Sequence, residues 1–229
     1  MSKKYQMNIN EIFSLAVQNQ KKNNYQVAKD LYNQIIKINP NLVEAYNNLG
    51  FIFNLEGQNE KAKECYEKAI KIKPNFINAH QNLGLMFQKL GNYEEAKKCY
   101  QKLIDVKPDS INVQYNLGLV FQKLGNYEEA KKCYEKVINI NPKIAEAHNN
   151  LGIVYANIGK YDQAINCYSE AIINNKEYKE AKENLILSLT SFKSNNNNTI
   201  VKANNDLKDL YNNFVLKDFF KNENLSILF

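Results

Sequence analysis

Two apolar stripes, each at helical spacing, alternate along this chain, and the pair recurs every 34 residues. In residues 77–110 the first stripe is Ala79, Leu83, Met86, Phe87 and Leu90, at i, i+4, i+7, i+8 and i+11. That spacing puts all of them on one side of a helix. The second stripe runs through Ala96, Cys99, Tyr100, Leu103 and Ile104 to Val106. Gly91 between them predicts a helix stop, because left-handed backbone costs glycine least. Asn92 with Glu95, and Asn126 with Glu129, have the spacing of an N-cap and its capping-box partner. Pro108 ends the segment.

Glycine and proline follow the same period. Reading from Ile9, all 8 glycines sit at position 8 (Gly50, Gly84, Gly118, Gly152) or position 15 (Gly57, Gly91, Gly125, Gly159) of the repeat. The prolines Pro40, Pro74, Pro108 and Pro142 hold position 32. Five repeats fit without insertion, at 9–42, 43–76, 77–110, 111–144 and 145–178. A unit of this size cannot bury its apolar face alone and gains stability by stacking on its neighbours. The pattern therefore predicts an all-α, right-handed solenoid of antiparallel helix pairs forming one elongated domain. Glycine at position 8 lies inside a helix, where it costs about 1 kcal/mol relative to alanine. Ala28, Ala62, Ala96, Ala130 and Ala164 at position 20 suggest a close helix crossing at small residues. Leu83, Phe87 and Tyr100 then fill the space beside it.

These positions carry a resemblance. Tyr46, His80 and His148 at position 4, Leu at 7, Gly at 8, aromatics at 11 (Phe53, Phe87, Phe121, Tyr155), Ala at 20, Tyr at 24 and Pro at 32 resemble the tetratricopeptide repeat over residues 9 to about 193. The first repeat departs, with Ile12, Ala16 and Asn19 at positions 4, 8 and 11, as suits an end repeat whose outer face meets water. Lys176 stands where the fifth repeat would have proline.

Residues 179–193 continue the phase as one helix, with Ala181, Leu185, Leu189 and Phe192 on one side. Ile186 at its position 8 leaves no room for a close crossing, so a capping helix is expected. Residues 194–198 are a polar, Asn-rich tract that reads as a linker. Beyond it, residues 199–229 form an amphipathic tail with Ile200, Leu207, Leu210, Tyr211, Phe214, Phe219 and Phe220, expected to be helical. The tail could fold against the solenoid, dock on a partner or lead into a further domain.

Composition adds little to this picture. A formal charge of +6 invites a polyanion partner, but the lysines are interleaved with glutamate, as at Lys97-Lys98 and Lys131-Lys132 after Glu-Glu. That is solvated helix surface with local compensation, and nucleic-acid binding is not expected. No apolar run approaches the roughly 20 residues that span a bilayer. No secretion signal is legible at the N-terminus, so the expected location is cytoplasmic.

Candidate chemistry is sparse. Cys65, Cys99, Cys133 and Cys167 all hold position 23. Helices of neighbouring repeats stack roughly 8 to 10 Å apart, beyond disulfide reach, so reduced, buried structural thiols are expected. Short C-x-x-C spacings of zinc sites are absent. His80 and His148 lie two repeats apart and substitute for a packing aromatic. Every glycine belongs to the repeat, which leaves no phosphate loop, and no nucleophile stands beside a base. No catalytic residue, metal or cofactor is expected, and the chain reads as a non-enzyme.

The recognition surface is better marked. In the family that this chain resembles, positions 2, 5, 6, 9, 12 and 13 of the first helices line the concave face. Position 6 is Asn48, Asn82, Asn116 and Asn150, continued by Asn184 on the cap. This is similar to the asparagine ladder of the tetratricopeptide region of O-linked N-acetylglucosamine transferases, and the resemblance implies amides that hold the backbone of an extended client. Asparagine there could also serve scaffold solubility alone. An amide that offers both donor and acceptor to a peptide unit favours the ladder. Phe51, Leu85, Leu119 and Ile153 at position 9 add an apolar row for alternate side chains. The carboxylate clamp of chaperone adaptors wants Lys at 5 and Asn at 9. Here those positions hold Phe13 and Val17, Asn47 and Phe51, Gln81 and Leu85, Tyr115 and Leu119, and Asn149 and Ile153, so chaperone-tail binding is not expected. Two functions follow: a scaffold that binds a peptide or partner helix in its groove, or the substrate-targeting region of a larger, glycosyltransferase-like enzyme with its catalytic domain elsewhere. An RNA-reading helical repeat, with a 35-residue period, fits less well.

Overall fold

A computed structural model describes residues 7–195, with side chains to residue 189. Eleven helices and no strand occur among them. They are α1 (Ile9–Lys21), α2 (Tyr25–Ile38), α3 (Val43–Leu55), α4 (Asn59–Ile72), α5 (Ile77–Lys89), α6 (Tyr93–Val106), α7 (Ile111–Lys123), α8 (Tyr127–Ile140), α9 (Ala145–Asn157), α10 (Tyr161–Asn174) and α11 (Lys179–Asn195). Each odd-numbered helix begins 34 residues after the last, so the sequence period is the structural period. α11 runs through Asn195, so the first two residues of the tract read as a linker belong to the cap. The remainder of that tract and the tail at 199–229 lie outside the described residues.

The chain divides into two compact units at Pro108–Asp109. Contacts in a solenoid are between neighbours, so compactness is a property of a few stacked pairs. In the N-terminal unit α1 to α6 pack in succession and α3 also packs on α5. In the C-terminal unit α7 to α11 do the same, and α9 packs on both α7 and α11.

Local geometry explains the glycines at position 15. Gly57, Gly91, Gly125 and Gly159 have φ of 74 to 77°. The amide after each glycine donates back across the turn, Asn92 N to Phe87 O at 2.9 Å and Asn126 N to Phe121 O at 2.9 Å, which closes the helix C-terminus. In the first repeat Asn23 holds the same left-handed conformation with φ 62°. The same geometry removes two expected caps. Asn92 and Asn126 have ψ of 64° and 68°, outside the extended region an N-cap needs, and neither side chain caps its helix. Their backbone is set by the preceding turn. Only Asn8 with Glu11, free of such a turn, forms a complete capping box among the described helices.

Large side chains fill the interior. Tyr32, Tyr66, Tyr100 and Tyr134 at position 24 are fully buried, and Tyr168 nearly so. These rings, not the alanines of position 20, are the nearest neighbours of the position-8 glycines. A Cβ on Gly152 would meet Tyr168 Cε1 at 2.6 Å, and one on Gly84 would meet Tyr100 Cε1 at 3.1 Å. The helices are close because a ring edge lies flat on a bare backbone. Of the expected apolar stripe on α5, Leu90 is exposed, since it falls at the C-cap where the helix has already turned away. On the outer surface Lys97 pairs with Glu94 and Lys98 with Glu95, the local charge compensation read from the sequence.

Candidate functional site

The ring hydroxyls of position 24 point to the first helices, where the candidate asparagines lie. Tyr32 donates to Gln20 Oε1 at 2.7 Å, Tyr100 to Gln88 Oε1 at 3.0 Å and Tyr134 to Gln122 Oε1 at 2.9 Å, each to position 12 of its own repeat. The second repeat has Asn54 there, one methylene shorter, and the buried Tyr66 hydroxyl has no partner. In the fifth repeat Ala156 takes the place, and Tyr168 bonds to Ser188 of α11 instead.

In the N-terminal unit these hydroxyls join a chain of amides. Asn82 Nδ2 donates to Asn47 Oδ1 at 3.0 Å, Asn47 Nδ2 to Asn48 Oδ1 at 3.2 Å, and Asn48 Nδ2 to the Tyr32 hydroxyl at 3.2 Å. Burial raises the Tyr32 pKa, partly offset by its bond with Asn48. Beside this wall opens a groove of about 290 Å³, lined by Gln20, Asn47, Asn48, Phe51, Asn78, Gln81 and Asn82. The fold thus brings Asn48, Asn82 and Phe51 to one site, and Leu85 is half-buried on the same helix as Asn82.

The other candidates belong to the C-terminal unit. Asn150 Nδ2 donates to the Tyr115 hydroxyl at 2.9 Å and is 8% exposed, so it is part of the packing. Asn184 Nδ2 donates to Asn149 Oδ1 at 3.0 Å. Asn116 and Leu119 are half-buried on α7, and Ile153 packs against the cluster built on Tyr168 and Leu185.

A rule links these contacts. Three asparagines at position 6 donate to the residue at position 5 of the preceding repeat: Asn82 to Asn47, Asn150 to Tyr115 and Asn184 to Asn149. Where position 5 is Phe13, which accepts nothing, Asn48 turns to Tyr32. Asn82, Asn150 and Asn184 staple one repeat to the next, and their partners Asn47, Tyr115 and Asn149 escaped a reading that treated each position separately. The detectable signal was a polar acceptor 35 residues before Asn82, Asn150 and Asn184.

The histidines are tied to the backbone, and the cysteines are buried or half-buried in the helix packing. The Nε2–H of His80 donates to Pro74 O at 2.7 Å and that of His148 to Pro142 O at 2.8 Å, tying each first helix to the turn before it. The four thiols are free. Burial is the main cause that pushes Cys65 and Cys133 up to about 11 and Cys99 and Cys167 up to about 12, far from thiolate chemistry at neutral pH. Among the described residues no group of three or more His, Cys, Asp or Glu could hold a metal ion, and no helix is long and apolar enough to cross a membrane.

Stacked helix pairs with a side-chain-lined first-helix face define a helical-repeat scaffold. The chain belongs to the tetratricopeptide-repeat family: models of that repeat match residues 43–76, 76–143 and 109–177, together more than half of the chain. Solved structures agree. It is similar to YrrB, described as a TPR protein with an unusual peptide-binding site, at 19% identity and TM-score 0.70 over 77% of this chain and 91% of that one. It is also similar to MamA, at 26% identity and TM-score 0.66 over 77% and 99%. A MamA from Desulfovibrio magneticus RS-1 matches at 16% identity and TM-score 0.69 over 75% and 97%. None of the curated proteins compared with the chain matches it.

Proposed function

We propose that this chain is a non-enzymatic interaction scaffold that holds an extended peptide on the face of its first helices. The groove lined by Asn48, Asn82 and Phe51 carries this reading. Because Asn48 and Asn82 each already donate from Nδ2 within the fold, a client meets mainly their carbonyl oxygens, each with a spare lone pair for a backbone N–H. Asn48 and Asn82 are then acceptors in the N-terminal unit, while on α7 the half-buried Asn116 offers its whole amide. A neutral hydrogen bond nets about 0.5 to 1.5 kcal/mol, so these rungs supply a few kcal/mol. Micromolar affinity needs about 8 kcal/mol, and the half-buried Phe51, Leu85, Leu119 and Ile153 must supply much of the rest. The peptide site reported for YrrB, on a similar fold, supports the reading by analogy. The histidines held on backbone carbonyls and the raised thiol pKa values support a non-catalytic role. The family match and these neighbours lend no support to a transferase-targeting role.

Peptides selected from a displayed random library on the whole chain provide the test. Their affinity is measured by fluorescence anisotropy for the wild type and for Phe51→Ala with Leu85→Ala. A loss of roughly tenfold or more with an unchanged helical signal is expected. Wild-type affinity in the double variant would overturn the proposal and move the contact surface off this face.

A further inference from the structure

Six of the seven residues around the N-terminal groove, Gln20, Asn47, Asn48, Asn78, Gln81 and Asn82, end in a carboxamide, and the seventh is Phe51. No ionisable side chain lines it. A charged occupant would leave water here without a counter-charge, which is strongly disfavoured. A purely apolar occupant would strand amide groups that water now satisfies.

The back wall has a fixed polarity. A tyrosine hydroxyl has one hydrogen, and that of Tyr32 goes to Gln20 Oε1, so the same oxygen accepts from Asn48 Nδ2. Asn48 Oδ1 must then take the Asn47 amide, and Asn47 Oδ1 the Asn82 amide. The chain ends with Gln20 Nε2 hydrogens at one side and Asn82 Oδ1 at the other. Donors and an acceptor are thus presented at the two ends of one ordered strip, while Asn78 and Gln81 add whole carboxamides that make no hydrogen bond among the described residues.

The group that matches such a lining is another carboxamide, planar and neutral, with N–H and C=O side by side. We infer that this groove selects segments bearing asparagine or glutamine, held between the amide wall and the ring of Phe51. A volume of about 290 Å³ is at the small end of ligand sites and suits a short segment of extended chain. This inference rests on the peptide-scaffold reading and narrows it to a class of client: uncharged and carboxamide-rich.

The experiment uses the full chain and three fluorescent peptides, acetylated and amidated, identical except for central residues that are Gln and Asn, Glu, or Leu. Binding is read by anisotropy at about 50 and about 500 mM salt, a range over which exposed charge interactions are progressively screened. The Gln and Asn peptide should bind roughly tenfold tighter than either other and keep its affinity in high salt. Asn78→Leu with Gln81→Leu, which removes no internal hydrogen bond, should erase that preference with the thermal transition unchanged. Tighter binding of the Glu or Leu peptide, lost in Phe51→Ala, overturns carboxamide selectivity and leaves the scaffold reading standing. No binding of any peptide up to about 1 mM, near −4 kcal/mol, overturns both.

Discussion

Tyr134 lies so close to Gly118 that a Cβ on the glycine would stand 2.7 Å from the tyrosine Cε1. The fourth repeat is built around that contact, and the same pair recurs with graded tightness. The distance is 2.6 Å at Gly152, 2.9 Å at Gly50 and 3.1 Å at Gly84.

Alanine scanning of the glycines should follow this gradient. Gly→Ala inside a helix gains about 1 kcal/mol from propensity. At Gly84 a neighbour shift of a few tenths of an ångström accommodates the methyl, so Gly84→Ala should be neutral or stabilising in chemical denaturation. At Gly152 and Gly118 the ring must move, and a net loss of about 1 to 3 kcal/mol is expected. Gly125 has nothing within 4 Å of a Cβ but a φ of +74°, so Gly125→Ala should cost about 1 kcal/mol through backbone strain alone. Equal effects at Gly84 and Gly152 would show that ring contact does not set the cost.

The Tyr66 hydroxyl is buried and partnerless, whereas Tyr100 bonds to Gln88. Tyr66→Phe should therefore leave stability unchanged or raise it, while Tyr100→Phe lowers it by about 1 kcal/mol or more. Asn54→Gln should restore the missing partner and stabilise by about 0.5 to 1.5 kcal/mol. That gain should vanish in the Tyr66→Phe background, as a double-mutant cycle in urea will tell.

Asn150 is buried and donates to Tyr115. Asn150→Ala should lower stability by about 1 to 3 kcal/mol whatever its effect on a client. Combining it with Tyr115→Phe should cost less than the sum of the single changes, because both remove one hydrogen bond. Full additivity in denaturant melts would contradict the staple.

Alkaline pH should unfold the chain through its thiols. An unfolded cysteine ionises near pH 8.5, but in the fold Cys65 and Cys133 hold their protons to about 11, and Cys99 and Cys167 to about 12. Above pH 8.5 the unfolded state binds fewer protons than the native one, so stability is full below that value and falls as pH rises toward 11 to 12. A variant with all four cysteines replaced by alanine should show a shallower decline between about pH 9 and 11. Its residual slope comes from the buried tyrosines, whose pKa values are also raised by burial. Native wild-type thiols should react slowly with iodoacetamide at about pH 8.

Helix positions were legible because they depend on residues close in sequence. The apolar stripes, the glycine at position 15 and the proline at position 32 mark the ends of α5 and α6 without knowledge of any neighbour. Even Asn23 in the first repeat follows from backbone preference, since asparagine tolerates left-handed conformation better than other side chains. The capping role expected of Asn92 failed within that same local logic, because one residue cannot close the turn after Gly91 and also extend into an N-cap.

The candidate site was only half legible, for a different reason. The sequence by itself placed Asn48, Asn82, Asn116 and Asn150 on the first helices and Phe51 one turn from Asn48. Tertiary structure decided where the amides point: Asn82 to a carbonyl 35 residues away, Asn48 to a phenol in the preceding repeat. It also decided that the ring of Tyr134, not Ala130, fills the space over Gly118. Periodicity records which side of a helix a residue occupies. Hydrogen-bond direction and ring contact depend on atoms brought together only when one repeat is stacked on the next.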